Sequence, residues 1–422
     1  MTVAPSTVLA IFLCLLISGG CGGEEKGGAA AQPALTMPGI VRQATRPASV
    51  AQCVAIDGAW MVPYEETIPG TAVRFTMIPV PGGSFRMGSP QDEHGRQDTE
   101  GPPFTVEVPP FWIGRCEVTW GEYRTFMAAT AIFHAKHGDN PPSTPAEVGV
   151  DAVTAPSMLY DPDGVYASVA ADRPATGMSQ YAARQYTKWI SKLTTHFYRI
   201  PSECEWEYAC RAGSKTAWSS GADVRTLQEV AWYVENAGDE THPVGQKRAN
   251  AWGLHDMHGN VAEWVMDQVT AQGYARQARL SVPAQMTEAI EWPKQLESRA
   301  VRGGAFYDEP TECRSAARRK SADQAWNDND PSVPPSPHWL TASASWGLGF
   351  RVVRPLVSPA AAERERWWEA DVESVREAVA FRTQLGCAAS GLVDEEVVRE
   401  LAAELRTREA VSRRRDDGKD SK

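Results

Sequence analysis

The segment RGGAFYDEPTECRSAARR, residues 302–319, concentrates the side chains of this sequence that could do chemistry. It contains one thiol, Cys313, and four arginines. Positive charge lowers the pKa of a thiol, and the resulting thiolate is a nucleophile and a ligand for soft metal ions. The alternative is a buried, protonated Cys313 that only fills space, with the arginines paired to nearby carboxylates. Residue types alone leave both interpretations open.

Two pairs of histidines are further candidates for metal ligands. The pairs, each with a spacing of three, are His134 with His137 and His255 with His258. A zinc site needs additional nitrogen or sulfur ligands, and neither pair has one in register nearby in the sequence. We therefore expect these histidines at the protein surface and predict no zinc site.

Short strands and capped helices must position these side chains. Apolar runs bounded by proline and glycine predict strands over residues 75–80, 84–87, 104–108, 300–302 and 349–354. Helix starts are predicted after three capping residues, Thr119, Ser179 and Ser202. Long irregular loops separate the elements, and strands do not alternate with helices as they do in a parallel sheet. The prediction is an α+β domain that is low in regular secondary structure.

The N-terminus has the features of an export signal. An apolar run, residues 8–17, is too short to span a bilayer. It is followed by Ser-Gly-Gly-Cys, in which Cys21 resembles the lipidated cysteine of a bacterial lipoprotein. An ordinary cleaved signal peptide is the alternative, since residues 1–7 contain no lysine or arginine. We expect an exported protein of the cell envelope, attached to a membrane through Cys21 if that residue is acylated.

Composition divides the rest of the chain. After the leader, residues 1–21, a stretch rich in glycine, alanine and proline predicts a flexible tether over residues 22–52. Residues 53–357 are predicted to form the folded domain. Residues 358–422 are highly charged and have apolar side chains at helical spacing, which predicts a C-terminal helical hairpin with a charged tail.

Charge and cysteine content limit the partners and the covalent structure. The formal net charge of −11 would repel a phosphate backbone, so no nucleic-acid partner is expected. Six cysteines follow Cys21, and six thiols allow fifteen disulfide pairings in an oxidising compartment. One pairing is excluded, because Cys204 and Cys210 share a predicted helix and lie about 9 Å apart along its axis.

Six sequence blocks, in this order, resemble the formylglycine-generating enzyme family, also called sulfatase-modifying factors. The blocks are IPVPGGSFRMGS (78–89), FWIGRCEVTWGEY (111–123), RIPSECEWEYACRAG (199–213), WGLHDMHGNVAEW (252–264), RAVRGGAF (299–306) and GFRVVRP (349–355). The resemblance covers roughly residues 53–357. It implies a compact fold that is related to the C-type lectin fold and is itself low in regular secondary structure.

Active members of this family oxidise a cysteine of a sulfatase to formylglycine, with molecular oxygen and a copper ion held by two cysteines. The two cysteines follow the Gly-Gly pair with the spacing Cys-x4-Cys, which corresponds here to Asp308 and Cys313. A carboxylate is a poor ligand for Cu(I), so Asp308 argues against a copper site. Two further departures are Ala305, where the family has serine, and Ala262, where it has tryptophan.

These departures favour a binding or scaffold module whose partner is a peptide, a glycan or another envelope protein. The alternative is a formylglycine-generating oxidoreductase with an altered site around Cys313. The resemblance also implies a calcium site, whose ligands in the family correspond to Asp256, Gly259, Val261 and Glu263. Two carboxylates, two carbonyls and water can supply the six to eight oxygen ligands that calcium takes.

Overall fold

The computed structural model describes residues 37–48, 50–127, 153–154, 170–322, 325–326, 339–340, 342, 345–384 and 390–391. The predicted leader with Cys21, the pair His134 and His137, Cys387 and the second half of the predicted hairpin lie outside these residues. Among the helices of the described ranges, none is both long enough and apolar enough to cross a membrane.

The strands are short. They are β1 (Ile40–Val41), β2 (Val54–Ile56), β3 (Ala59–Met61), β4 (Tyr64–Thr67), β5 (Arg74–Val80), β6 (Gly83–Met87), β7 (Phe104–Val108), β8 (Phe111–Gly114), β9 (Val153–Thr154), β10 (Ala231–Trp232), β11 (His258–Gly259), β12 (Ala262–Gln268), β13 (Ala284–Gln285), β14 (Arg299–Arg302), β15 (Arg318–Lys320), β16 (Leu348–Gly349), β17 (Val353–Pro355) and β18 (Ser390–Gly391). The predicted strand over residues 104–108 is confirmed, whereas the one predicted over residues 349–354 is split between β16 and β17.

These strands form several small sheets. The strand orders are β1-β3-β2, β17-β8-β5-β4, β13-β7-β6 and β15-β14-β12-β16, with the two-stranded pairs β10-β11 and β18-β9. The pairs β10-β11, β12-β16 and β13-β7 are parallel, and the others are antiparallel. Small mixed sheets with separate helices confirm the predicted α+β class.

Three of the described helices begin where capping residues predict them. The helices are α1 (120–127), α2 (Gln180–Thr194), α3 (Glu203–Arg211), α4 (Met286–Ala289), α5 (Ala361–Trp368) and α6 (Glu373–Gln384). Ser179 Oγ accepts a hydrogen bond from a backbone N–H of α2, and Ser202 forms a capping box with Glu205 at the start of α3. The Thr119 N–H donates to Glu122 at 3.0 Å at the start of α1. These caps satisfy backbone donors that have no partner inside the helix.

Strand β12, the longest strand of the sheet β15-β14-β12-β16, is covered by other parts of the protein on both faces. Every residue of β12 is buried. Trp264 packs in one hydrophobic cluster with Trp189 of α2, and the next residue, Val265, packs in a second cluster with Trp206 of α3. Side chains alternate between the faces of a strand, so β12 lies between the two clusters and holds α3 in a fixed position.

The folded part extends beyond residues 53–357 at both ends. Strand β1 pairs with β3, and the Pro38 carbonyl accepts a hydrogen bond from Arg354 at 3.0 Å, so the ordered chain begins before Cys53. At the other end, Asp371 accepts hydrogen bonds from Arg184 of α2 and Arg299 of β14, each at 2.5 Å. The first part of the predicted hairpin therefore packs on the domain.

Candidate functional site

The segment 302–319 links two paired strands. It runs from the end of β14 into β15, and these strands are antiparallel neighbours. Gly303 and Gly304 follow β14 with φ angles of 94° and 72°, a region that favours glycine. A β-carbon on Gly304 would lie 2.7 Å from Cys313 Sγ. The glycines therefore permit both the turn and the close approach of the thiol.

A cleft of about 250 Å³ opens beside this segment. Its lining includes Ala262 from β12, Asp308 and Glu312 from the loop, and Arg319 and Lys320 from β15. Two of the three positions that depart from the family pattern, Ala262 and Asp308, therefore line the same cleft. An alanine also leaves space there that a tryptophan would fill.

Asp308 is held in this cleft by an ion pair. Arg319 Nη1 lies 3.1 Å from each carboxylate oxygen of Asp308, and the Ala305 N–H donates to Oδ2 at 2.8 Å. The Asp308 side chain is 12% exposed and the Arg319 side chain is 34% exposed. The carboxylate is thus neutralised and oriented by protein groups.

Cys313 is fully buried, and its surroundings do not activate the thiol. Burial raises the pKa of Cys313 well above its ordinary value, and the carboxylates of Asp308 and Glu312 raise it further, while Arg319 acts in the opposite direction. A buried, protonated thiol is a poor nucleophile and a poor metal ligand. This environment favours the interpretation in which Cys313 only fills space.

Within the described ranges, neither Cys313 nor another thiol belongs to a site with three or more metal ligands. The described cysteines, which are all free thiols, are Cys53, Cys116, Cys204, Cys210 and Cys313. Burial raises the pKa of Cys210 to about 12. Within the part of the chain that the structure describes, no group of three His, Cys, Asp or Glu side chains is arranged to hold a metal ion.

Two arginines of the segment are bound to buried glutamates of α3. Arg302 pairs with Glu207, and Arg318 Nη2 donates to Glu203 Oε2 at 2.6 Å. All four side chains are nearly inaccessible to solvent. Glu203 and Glu207 are four positions apart on α3, so they lie on one face of that helix and can both reach the two arginines. Their pairing with Arg302 and Arg318 confirms the structural interpretation of these arginines.

Arg314 is bound in the same way. Its guanidinium donates to both oxygens of Glu100 at 2.7 and 2.9 Å and to Glu93 at 2.5 Å. These contacts join the loop of the candidate site to the chain that precedes β7. Because Glu93 and Glu100 are distant in sequence from Arg314, no local pattern predicted this contact.

Glu263, a predicted calcium ligand, is already bound to a cation. Arg351 Nε and Nη2 donate to the two Glu263 oxygens at 2.6 and 2.5 Å, and Trp206 Nε1 donates at 2.8 Å. The three side chains are fully buried. Calcium could take this carboxylate only by leaving a buried arginine unpaired, which is costly. The ligand set that includes Glu263 therefore does not fit this structure.

Two other carboxylates, Asp256 and Glu117, form no ion pair with any residue that the structure describes. Asp256 Oδ2 accepts from the Gly245 N–H at 2.6 Å, and its Oδ1 has no hydrogen-bond partner among the described residues. Glu117 Oε1 accepts from Asn260 Nδ2 at 3.1 Å, and its Oε2 also lacks a partner in that part of the chain. Burial raises the pKa of both carboxyl groups. The negative charge of Asp256 raises the pKa of Glu117 further. These free oxygens are of the hard type that calcium takes.

His255 and His258 are buried, so their predicted surface position is wrong. His258 Nδ1 donates to the Cys313 carbonyl at 2.7 Å, and its Nε2 accepts from the Ser219 N–H at 3.1 Å. His255 Nδ1 donates to the Lys247 carbonyl at 2.8 Å. Burial lowers the pKa of His258 to about 4. A neutral histidine whose nitrogens find partners can be buried, and its sequence neighbours do not reveal this.

Comparisons with known proteins show which family the chain is similar to. The profile of the sulfatase-modifying factor enzyme 1-like domain matches residues 67–329. The formylglycine-generating enzyme of Thermomonospora curvata is 29% identical over 274 residues, with 57% of this chain and 87% of that protein covered. The chaperone protein LppX of Paenibacillus barcinonensis is 27% identical over 226 residues, with 47% of this chain and 73% of that protein covered. The solved structure of PvdO from Pseudomonas aeruginosa is 28% identical and covers 69% of this chain and 100% of that chain, with a TM-score of 0.46.

Proposed function

Because the chain belongs to the sulfatase-modifying factor family, we propose that it is an exported, lipid-anchored member that binds a partner and does not oxidise one. The observation that carries this proposal is the ion pair between Asp308 and Arg319 in the cleft. Oxidation in the family needs two thiolates at this place. Here one position is a carboxylate that a guanidinium already neutralises, and the remaining thiol, Cys313, is fully buried.

The partner class that we propose is a polypeptide of the cell envelope. Support comes from the cleft, whose lining carries both signs of charge, with Asp308 and Glu312 close to Arg319 and Lys320. Such a lining suits the donors and acceptors of a peptide chain. Further support comes from the Paenibacillus relative, which is named a chaperone protein, since a chaperone must bind another polypeptide.

The proposed anchor rests on the leader sequence and on Cys21. The full chain, expressed with labelled fatty acid in a bacterium that processes lipoproteins, should take up label and sediment with membranes. The variant Cys21→Ser should lose the label and the sedimentation. An unlabelled parent chain in the soluble fraction would contradict the anchor without affecting the proposed role of the cleft.

Oxidation is tested directly with the purified full chain. The protein, supplied with copper and oxygen, is incubated with a sulfatase-type peptide containing Cys-x-Pro-x-Arg, and the products are analysed for an aldehyde by mass spectrometry. We expect the peptide cysteine to be unchanged. Aldehyde formation would overturn the proposal, and its loss in Cys313→Ser would establish the alternative, an oxidoreductase with an altered site around Cys313.

Binding in the cleft is tested by site-specific cross-linking in native membranes. A photoreactive amino acid is placed at Lys320, an exposed position of the cleft lining, and in a control chain at the exposed Arg225. We expect polypeptide adducts that form from position 320 and not from position 225. Adducts with polysaccharide alone would contradict the polypeptide partner and indicate a glycan partner. Equal labelling from both positions would contradict a specific role of the cleft.

A further inference from the structure

A second cavity, of about 490 Å³, shares no lining residue with the cleft. Three aromatic residues contribute to its wall: Phe85 from β6, Tyr208 from α3 and Trp252 from the loop before β11. The ring centroids of Phe85 and Tyr208 are 5.1 Å apart, and those of Tyr208 and Trp252 are 4.8 Å apart. The three rings therefore form one continuous row, a lining typical of sites for small molecules.

This aromatic row is held in place by its neighbours. Asn250 Nδ2 donates to the Ala209 carbonyl of α3 at 2.8 Å, and Asn250 Oδ1 accepts from the Trp252 N–H at 3.0 Å. One side chain therefore ties the loop that carries Trp252 to the helix that carries Tyr208. A β-carbon on Gly83 would lie 2.7 Å from Tyr208 Oη, so the glycine lets the strand approach the ring. A wall fixed in this way needs little ordering when a ligand binds.

The charged side chains of the lining are all cations. They are Arg86, Arg211 and Lys215, and no Asp or Glu lines the cavity in the described part of the chain. Arg211 is buried and donates from Nε to Glu207 at 2.9 Å. Arg86 and Lys215 are exposed, and their side chains have no ion pair or hydrogen bond with any other described residue. In a chain with a net charge of −11, two cations without partners beside an apolar wall favour an anionic ligand.

We propose that this cavity binds a small ring-shaped carboxylate, an acidic sugar or an aromatic acid, with its ring on the aromatic row and its carboxylate at Arg86 and Lys215. Aromatic faces and edges pack against sugar C–H groups and against other rings. The two cations supply charge-assisted hydrogen bonds to the carboxylate. The cavity volume lies within the usual range for small-molecule sites. This site is separate from the cleft and goes beyond the binding role proposed for it.

The ligand class is tested by calorimetric titration of the full chain with two acids and their neutral counterparts. The probes are glucuronate with glucose and benzoate with benzyl alcohol. We expect one acid to bind roughly tenfold more tightly than its neutral counterpart, because only the acid uses the cations. Preference for glucuronate identifies an acidic sugar, and preference for benzoate identifies an aromatic acid. Equal affinity within each pair, or no binding of either acid, would overturn the proposal.

Matched variants locate the binding site. The double variant Arg86→Gln with Lys215→Gln should weaken binding of the preferred acid roughly tenfold and leave the neutral counterpart unaffected. Trp252→Ala should abolish binding, whereas Trp252→Phe, which keeps a ring, should retain most of it. The control Lys294→Gln removes a cation that is 78% exposed and lies outside the cavity lining, so affinity should not change. Full affinity in the double variant, with an unchanged melting temperature, would place the ligand elsewhere and overturn the proposal.

Discussion

Arg319 Nη1 lies 3.1 Å from both carboxylate oxygens of Asp308, at a position where active relatives are expected to carry a thiol. The pair is only partly buried, so its contribution to stability is modest, on the order of 1 kcal/mol or less. Its consequence is chemical. A hard carboxylate that already has a cationic partner takes the place of a soft ligand for Cu(I).

Restoring the thiol should therefore change metal binding more than stability. We expect Asp308→Cys to raise the affinity for Cu(I), because it would place a second thiol near Cys313. Competition with a chromogenic Cu(I) chelator measures the change. Asp308→Ser, which removes the same carboxylate without adding sulfur, should bind as weakly as the parent chain. A parent chain that binds Cu(I) as tightly as Asp308→Cys would contradict the proposed loss of the copper site.

The thiol of Cys313 should be unreactive in the folded protein. Its side chain is fully buried and its pKa is raised by burial, so iodoacetamide should not modify it under native conditions. Cys53, which is partly exposed, should be modified first. Mass spectrometry of peptides after native and denatured labelling distinguishes the two. Rapid native labelling of Cys313 would argue for the activated thiol.

Calcium binding should depend on Asp256 and not on the Glu263 ion pair. If calcium binds, it should raise the melting temperature of the parent chain, and Asp256→Asn should remove that increase. Glu263→Gln should lower the free energy of unfolding by about 3–5 kcal/mol even after chelation, because it leaves Arg351 buried without its partner. Calorimetry with and without chelator measures both effects. A parent chain with a melting temperature that calcium does not change would exclude the site.

Buried His258 should make stability depend on pH between about 6.5 and about 4. The folded protein holds its pKa near 4, whereas an unfolded histidine takes up a proton near 6.5. The unfolded state therefore binds more protons in this range, and the free energy of unfolding falls as the pH falls, by at most about 3 kcal/mol from this group. Urea unfolding at several pH values measures the slope. The slope should be smaller for His258→Gln, and an equal slope would remove His258 as its cause.

Asp371 should be essential for docking the C-terminal helices. Its carboxylate pairs with Arg184 and Arg299, which hold its pKa at about 2 against the effect of burial. Asp371→Ala should lower the free energy of unfolding by about 3–5 kcal/mol, since both arginines are buried. The control is Glu373→Ala, whose pair with Arg376 is on the surface and should cost about 0.5 kcal/mol or less. Equal losses in the two variants would contradict this role.

Local features of the fold could be predicted from the sequence. The capping residues Ser179 and Ser202 begin α2 and α3, because a cap depends on residues that are three positions apart. The strand at Phe104–Val108 follows from its own apolar pattern and its flanking prolines. Partners of buried charges were not predictable in this way. Arg314 and Glu100 meet only because the chain folds, and nothing near either residue indicates the other.

The sequence by itself determined the family, the α+β class and the replacement of one expected cysteine by Asp308, since these depend on residue identity and order. Only the tertiary structure decided which charges meet. It placed Arg319 on Asp308 and Arg351 on Glu263, and it left Arg86 and Lys215 beside an aromatic wall. The physical reason is that a charge is stabilised by whatever lies within a few ångströms of it, and those neighbours come from distant parts of the chain.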